Sequence, residues 1–562
     1  MVRPAARFRW AGIGSFVALF FGLFSVACEF LDSDAKTPKI PSPVFQRYAL
    51  VPFPRAVELV DGDFELRAST HVAADTSDPE IGRLAETLAA RLRTATGFEL
   101  PVGAPGAAPE IRLALDGAIT ENEGYEIDVD TDIVDLRAKT TAGLFYGIAT
   151  LTQLFPWQIL SSSAATDVAW KAPRVHLKDA PRFAYRGAHL DVSRHFFSPD
   201  FVKRYIDLLA SYKLNTFHWH LTDDQGWRIE IKKYPLLTQV GAFRRETVVG
   251  RPGPMSAYDG QRYGGFYTQD EIRDIVAYAR DRYVTIVPEI EMPGHCLSAL
   301  ASYPAYACTP GPFETATTWG IFADVYCPSE GTFQFLEDVL TEVVDLFPGP
   351  YVHIGGDEVL TTQWESSPIA QEVIARENLG GVSSLENYFI GRIAAFLKSK
   401  GRKAVGWDEI ADGPTIPEAV VMSWRGEDKA MAAMARGYPV IMTPTTFCYF
   451  DQYQSDDPAE PLAIGGYLPL RKVYEFEPVP RYPSTASAGL VLGAQANLWS
   501  EYVATPEHAE YMLLPRLQAL AEVVWSPPEV RDYDGLVTRL STDVLRLETK
   551  GVRYSKEFLE SP

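Results

Sequence analysis

The 562-residue sequence is short of basic residues: 52 Lys and Arg stand against 73 Asp and Glu, a net charge of −21. Nucleic-acid binding needs a basic footprint, so this deficit argues against it. Cysteine is scarce, five residues in all. None belongs to a CxxC pair or a Cys/His cluster, which leaves structural zinc without a ligand set. No Gly-rich phosphate loop, no Ser nucleophile elbow and no internal repeat is found. Nothing implies a cofactor. What the chain has in quantity is apolar: 46% hydrophobic and 12% aromatic residues. That is a globular composition, and the length suggests roughly two to four domains.

A long uncharged run follows a basic head at the N-terminus. Arg3, Arg7 and Arg9 precede a stretch from Trp10 to Ala27, and Cys28 follows. A basic head before an apolar run is an export signal over residues 1–27, with Ser25-Val26-Ala27 as a small-x-small cleavage site. Two other readings compete: an uncleaved anchor, and lipid modification of Cys28 with attachment to a membrane, although Ser25 stands where the bacterial lipoprotein motif usually has Leu. The expected location is therefore periplasmic, membrane-anchored or secreted. Export also permits disulfides. Cys308 and Cys327 flank a Pro/Gly/Thr-rich segment without periodicity, and a bridge between them would staple that loop.

Residues 28–47 read as a Pro-rich polar linker. From 48 to 178, extended segments at 110–115 and 124–130 alternate with helical patterns at 81–97 and 140–155, which predicts a small α+β domain. The rhythm then changes over 179–550. Apolar strand-like runs begin near 185, 215, 284, 351, 403, 419, 439 and 491, and each ends in a polar or aromatic burst. Helical patterns separate most of them, the last over 506–525; none is evident between the seventh and eighth runs. Eight strands alternating with helices specify a (β/α)₈ TIM barrel in an α/β chain.

Such barrels build their sites at the C-terminal ends of the strands. Those ends carry Asp191 and Arg194, Asp223, His295, Asp357 and Glu358, Trp407, Trp424, Tyr449 and Asp451, and Trp499 and Glu501. Carboxylates, one His, one Arg and several aromatics at one mouth describe a sugar pocket, in which aromatic faces pack on pyranose C–H bonds. Asp357 and Glu358 follow Gly355-Gly356, where absent side chains would let a ligand approach the backbone. Adjacent side chains at a strand end should diverge, so the two carboxyls are expected to take different roles. His218 and His220 form an HxH pair. A metal reading fails because the fifth and sixth strands end in Trp407 and Trp424 rather than in further ligands.

In order along the chain, RGAHLDVSRHFF, HWHLTDDQGWR, EMPGH, HIGGDE and LWSEY resemble the β-N-acetylhexosaminidases, glycoside hydrolase family 20. The resemblance runs from VPFPRAVEL (51–59) to LWSEY (498–502). It implies a retaining exo-glycosidase that removes terminal N-acetylhexosamine from oligosaccharides, chitooligosaccharides or glycoconjugates. Catalysis would be substrate-assisted, through an oxazolinium intermediate. Glu358 would be the general acid, and Asp357 would orient the acetamido N–H and stabilise its developing charge. Arg194 and Glu501 would hold ring hydroxyls. Trp407, Trp424 and Trp499 would wall the pocket, Tyr449 would bond the acetamido oxygen and Asp451 a hydroxyl. Asp223 and His295 would form a polar pair supporting Glu358. Two alternatives stay open: a disaccharide-releasing enzyme of the same family, and a non-catalytic surface glycan binder.

Overall fold

The computed structural model describes residues 48–560, apart from 107 and 482–484. The export signal, the linker and Cys28 lie outside the described residues. No described helix is long and apolar enough to cross a membrane.

The first domain is a seven-stranded mixed sheet with the order β1-β7-β5-β6-β4-β2-β3. Its strands are β1 (Ala56–Glu65), β2 (His71–Ala74), β3 (Val102–Gly103), β4 (Glu110–Leu115), β5 (Tyr125–Val129), β6 (Ile133–Ala138) and β7 (Lys171–Asp179). Period-two alternation puts Tyr125, Ile127 and Val129 of β5 and Val134, Leu136 and Ala138 of β6 into the core. Two helices, α1 (Pro79–Thr96) and α2 (Thr141–Leu154), pack against the sheet. The Asp78 side chain caps α1 by accepting from the Glu80 and Ile81 amides, and Gly97 ends it at φ 73°.

The second domain is a closed barrel of eight parallel strands. They are β8 (Tyr185–Asp191), β9 (Thr216–His220), β10 (Thr285–Met292), β11 (Tyr351–Gly355), β12 (Lys403–Trp407), β13 (Val420–Ser423), β14 (Val440–Met442) and β15 (Val491–Leu498), which closes on β8. All seven residues of β8 and all five of β9 are buried, as strands covered on both faces must be. The expected helices form at Pro199–Ser211 (α3), Gln269–Arg280 (α4), Glu330–Leu346 (α5) and Val382–Ser399 (α6).

Three features differ from the sequence reading. A helix at Glu427–Ala435 (α7) follows β13. The pattern over 506–525 is two helices, Pro506–Leu513 (α8) and Arg516–Trp525 (α9), because Pro515 has no N–H and its ring obstructs the preceding turn. A further helix, Tyr533–Thr549 (α10), packs beyond the barrel. The connection from β14 to β15 holds only short helical turns among the described residues. Cys308 and Cys327 are joined in a disulfide.

The barrel interior beneath its C-terminal mouth is polar. Glu289 lies 2.6 Å from His353 Nδ1 and 3.1 Å from His218 Nε2, and it also contacts His220 Nδ1. Branched aliphatic layers usually fill such barrels, so this one spends interior volume on a hydrogen-bonded network.

The two domains are tied by buried charge. Lys213 Nζ meets Asp179 Oδ2 at 3.0 Å, and the same oxygen accepts from Tyr125 and, at 2.9 Å, from Trp525 Nε1. Arg186 forks onto Glu123 at 2.9 and 3.0 Å. Removing one partner of a buried pair strands the other charge. Asp179→Ala should therefore cost about 3–5 kcal/mol, read as a lowered denaturation midpoint. Asp179→Ala/Lys213→Met should recover most of that loss. A single variant as stable as the parent would show the tie to be dispensable.

Candidate active site

At the C-terminal mouth of the barrel is a cleft of about 250 Å³. Arg194, His295, Asp357, Glu358, Trp407, Trp424, Tyr449, Asp451, Trp499 and Glu501 all line it, with Thr445, Gln452 and Ile464. Ten of the twelve residues expected at the strand ends thus meet. Asp191, fully buried, does not, and neither does Asp223. Asp223 is 1% exposed and lies behind the wall, its Oδ2 2.8 Å from Arg194 Nη2 and 3.0 Å from His220 Nε2. The short ladder Thr222–Asp223 with Gly226–Trp227 turns the chain away from the mouth there, and these two cations hold the carboxylate underneath.

His295 joins this buried carboxylate to the mouth. Its Nδ1 lies 3.0 Å from Asp224 Oδ2 and 3.4 Å from Asp223 Oδ1, while Nε2 lies 3.4 Å from Glu358 Oε2 and 3.7 Å from Asp357 Oδ2. Burial disfavours the imidazolium, yet the carboxylates of Asp223, Asp224 and Asp357 outweigh it and hold His295 protonated well above the usual histidine range. The expected Asp223–His295 pair therefore exists, with Asp224 the nearer partner.

The catalytic candidates do not diverge as a flat strand end would require. The nearest oxygens of Asp357 and Glu358 and a ring nitrogen of His295 lie within 4.8 Å of one another. The backbone explains this. Gly355 and Gly356 have φ of 66° and 90°, and Glu358 itself is left-handed at 51°, which curls the loop so that both carboxyls face His295. A left-handed non-glycine residue is strained and occurs most often at functional sites. The two glycines do not serve ligand approach. A Cβ on Gly355 would come 1.7 Å from Glu291 Oε2, and one on Gly356 would come 2.7 Å from Ile410 Cγ2. They are glycines because that turn packs on Glu291, near the end of β10, and on Ile410, just after β12.

Asp357 and Glu358 occupy different environments, with side chains 14% and 33% exposed. Desolvation, reinforced by Glu289, Glu358 and Asp223, pushes the Asp357 carboxyl up to about 6 despite His295.

Arg194 is 7% exposed, accepted by Asp191 at 3.3 Å and by Gln225 at 2.9 Å, and lies 4.0 Å from Glu501 Oε1. Trp499 packs under its guanidinium at 5.1 Å. Trp424 and Tyr449 are stacked at 6.3 Å, and Trp407 and Trp499 are 5.9 Å apart, so three walls are aromatic. Burial and the nearby Asp451 hold the Tyr449 hydroxyl protonated well above its ordinary range, leaving it a donor. Burial and Glu501 raise Asp451 in the same sense, and its Oδ1 has no protein partner. Tyr449, Asp451, Gln452 and Ile464 all come from the irregular β14–β15 connection, where function commonly sits.

Two residues of this machinery went unread in the sequence. Glu409 accepts from Trp424 Nε1 at 3.0 Å, and Asp408 accepts from the Trp424 amide at 3.1 Å. Together they set the Trp424 ring. Their signal was the acidic pair directly after Trp407 in WDEI. As for metals, the ligand atoms of His218, Glu289 and His353, and of His189, His220 and Glu289, lie within 4.8 Å of one another. His353 Nδ1 and Glu289 Oε1 stand only 2.6 Å apart. Ligands on one tetrahedral zinc stand roughly 3.3 Å apart or more, given metal–ligand bonds of about 2.0 Å.

Residues 183–528 match the model of the glycosyl hydrolase family 20 catalytic domain, and residues 47–180 match family 20 domain 2. A β-hexosaminidase of Porphyromonas gingivalis is 42% identical over 518 residues, 91% of this chain, which spans 65% of that relative's length. A β-N-acetylhexosaminidase of Cellulomonas fimi is 34% identical, covering 90% of this chain and 95% of its own. Among solved structures, a family 20 β-N-acetylhexosaminidase from Streptomyces coelicolor A3(2) superposes with a TM-score of 0.79 at 34% identity, covering 92% of this chain and 98% of its own. An exo-β-N-acetylglucosaminidase from Vibrio harveyi in complex with N-acetylglucosamine has a TM-score of 0.79 at 33% identity, covering 92% and 80%. With both of its domains matched in order and its barrel closed as the catalytic domain requires, the chain belongs to glycosyl hydrolase family 20.

Proposed function

We propose that the chain is a retaining exo-β-N-acetylhexosaminidase that releases terminal N-acetylhexosamine from a glycan by substrate-assisted catalysis. The observation that carries this reading is the convergence of Asp357, Glu358 and protonated His295 at one end of a small aromatic-walled cleft. Relatives named β-hexosaminidase and neighbours solved with N-acetylglucosamine agree with it. A space of about 250 Å³ suits a single sugar ring better than a disaccharide, which favours exo action over disaccharide release.

In this mechanism Glu358, the more exposed carboxyl, protonates the departing glycosidic oxygen. The substrate's 2-acetamido oxygen attacks the anomeric carbon, with the Tyr449 hydroxyl donating to it. Asp357 accepts from the acetamido N–H and balances the positive charge of the oxazolinium ion. Glu358 then takes a proton from the incoming water, so two inversions give retention. Arg194 and Glu501 hold ring hydroxyls, and Asp451 receives another through its unpartnered oxygen.

The two carboxyls separate by leaving group. Glu358→Gln should lower kcat/KM by about 10²–10⁴ on natural glycosides, which need protonation, and far less on nitrophenyl N-acetylglucosaminide. Asp357→Asn should lose roughly 10²–10³ on both. The reverse pattern would exchange the roles, and an unchanged Glu358→Gln rate would dismiss the mechanism.

The acid limb of kcat/KM should report Asp357. Because its pKa is raised to about 6, the carboxylate is lost as pH falls through that value, well above an ordinary aspartate. kcat/KM should therefore drop about tenfold per unit below pH 6, and Asp357→Asn should remove that limb. A limb near pH 4 in the parent enzyme would contradict the assignment.

Export rests on Arg3, Arg7 and Arg9 before the uncharged run to Ala27. We propose cleavage after Ala27 and lipid attachment at Cys28. Mass spectrometry of the mature protein should find a chain starting at Cys28 with added diacylglyceryl mass; an intact Met1 would refute it.

A further inference from the structure

Outside the mouth of the barrel, one surface runs against the acidic character of the chain. Where α1 of the first domain approaches α3 and the end of α10, a cleft of about 780 Å³ opens, lined by Arg83, Arg91, Arg204, Arg282 and Lys550 among others. It shares no lining residue with the cleft that holds Glu358. Five cations gathered in a protein of net charge −21 need an explanation.

Three of the five are accounted for. Arg83 bonds Glu80 at 2.6 Å and the Asp281 carbonyl at 3.1 Å. Arg204 pairs with Glu510 and donates to the Gly551 carbonyl at 2.8 Å. Arg282 pairs with Asp207, whose other oxygen accepts from Tyr278 at 2.7 Å. Asp543, which lines the adjoining recess, is held by Tyr212 at 2.7 Å, Gln518 at 3.1 Å and Arg546 at 3.0 Å. These carboxylates are therefore occupied elsewhere.

Arg91 and Lys550 are not. Arg91 has no hydrogen bond, ion pair or ring contact with any described residue, and Lys550 Nζ has only the Ser211 hydroxyl at 3.4 Å. Both are exposed, and both line the cleft and its recess. The surrounding atoms nevertheless crowd them: desolvation lowers both, and Arg91 adds to the fall of Lys550 to about 8. The two cations repel each other, and the Asp207 carboxylate that attracts both is already paired with Arg282 and Tyr278. An anion between them would relieve that repulsion and gain charge-assisted hydrogen bonds from both, with the guanidinium fork suited to two oxygens at once.

We infer that Arg91 and Lys550 form a binding site for a tetrahedral oxyanion, phosphate or sulfate, on the flank of the barrel, separate from the hydrolytic centre. The oxyanion is either the free ion or the sulfate or phosphate ester of an acidic glycan. The shared chemistry is a dianionic group small enough to enter the recess.

Isothermal titration of the purified protein with inorganic phosphate and with sulfate, at ionic strength held constant with sodium chloride, tests this. Saturable binding is expected, weakened at least tenfold in Arg91→Gln and in Lys550→Gln. Turnover of nitrophenyl N-acetylglucosaminide should stay unchanged in both, which also verifies their folding. Titration with a sulfated disaccharide identifies the source: tighter binding than inorganic sulfate means a glycan substituent, equal or weaker binding the free ion. Absence of saturable binding beyond the chloride control, or equal binding by parent and both variants, would overturn the site.

Discussion

Asp223 is a carboxylate with 1% of its surface exposed, and the active site is arranged around its need for neutralisation. An isolated charge in such a place costs several kcal/mol. Burial alone would push its proton affinity up, but Arg194, His295 and His220 reverse that and hold it ionised well below the usual carboxylate range. Each of those partners leads outward. Arg194 is presented to the cleft with its guanidinium plane fixed. His295 is charged and turns its free nitrogen toward Asp357 and Glu358. His220 passes to Glu289, and so to the hydrogen-bonded interior of the barrel. A residue that does not line the cleft thereby orients groups that do.

That chain of charges needs a backbone that brings its far end together. His295 and Glu358 both sit at positive φ, 46° and 51°, in loops that follow neighbouring strands β10 and β11. Left-handed residues with side chains persist only where the surroundings over-determine them. Here the surroundings are Gly355 against Glu291, Gly356 against Ile410, and the ion pairs on His295. Strain, packing and charge act on the same few residues, so a change at any of them disturbs the geometry of the catalytic pair.

Much of this was legible in the chain because barrel strands carry their own punctuation. Strands buried on both faces read as apolar runs, and each ends where the site begins, so Arg194, Asp357, Trp407 and Trp499 could be named from the place where a run breaks. What escaped depends on three-dimensional contact. Asp223 looked like a pocket residue because it follows a strand, and only the Arg194 and His220 contacts show that it turns inward. Gly355-Gly356 suggested ligand approach, yet the space beside Gly355 belongs to Glu291, 64 residues earlier in the chain. The roles of Asp408 and Glu409 lie in bonds to Trp424, which has no periodic signature. The break at Pro515 was visible, but a strong apolar pattern on both sides hid it.

The division of labour proposed for the adjacent carboxyls follows from the same geometry. Side by side in sequence, Asp357 and Glu358 face one imidazolium from unequal depths. The deeper one is desolvated, hemmed by Glu289, Glu358 and Asp223, and carries a raised pKa. Such a carboxylate gains most from a partner that becomes positive, because in a water-poor site the developing charge is poorly screened by anything else. In the proposed mechanism the oxazolinium ion is that partner, and Asp357 is its stabiliser. Glu358 has one more methylene and more open surface, so it can reach a leaving oxygen at the mouth and, afterwards, the water that replaces it. Environment rather than residue type assigns the two roles, as it does wherever paired carboxyls divide acid and electrostatic work.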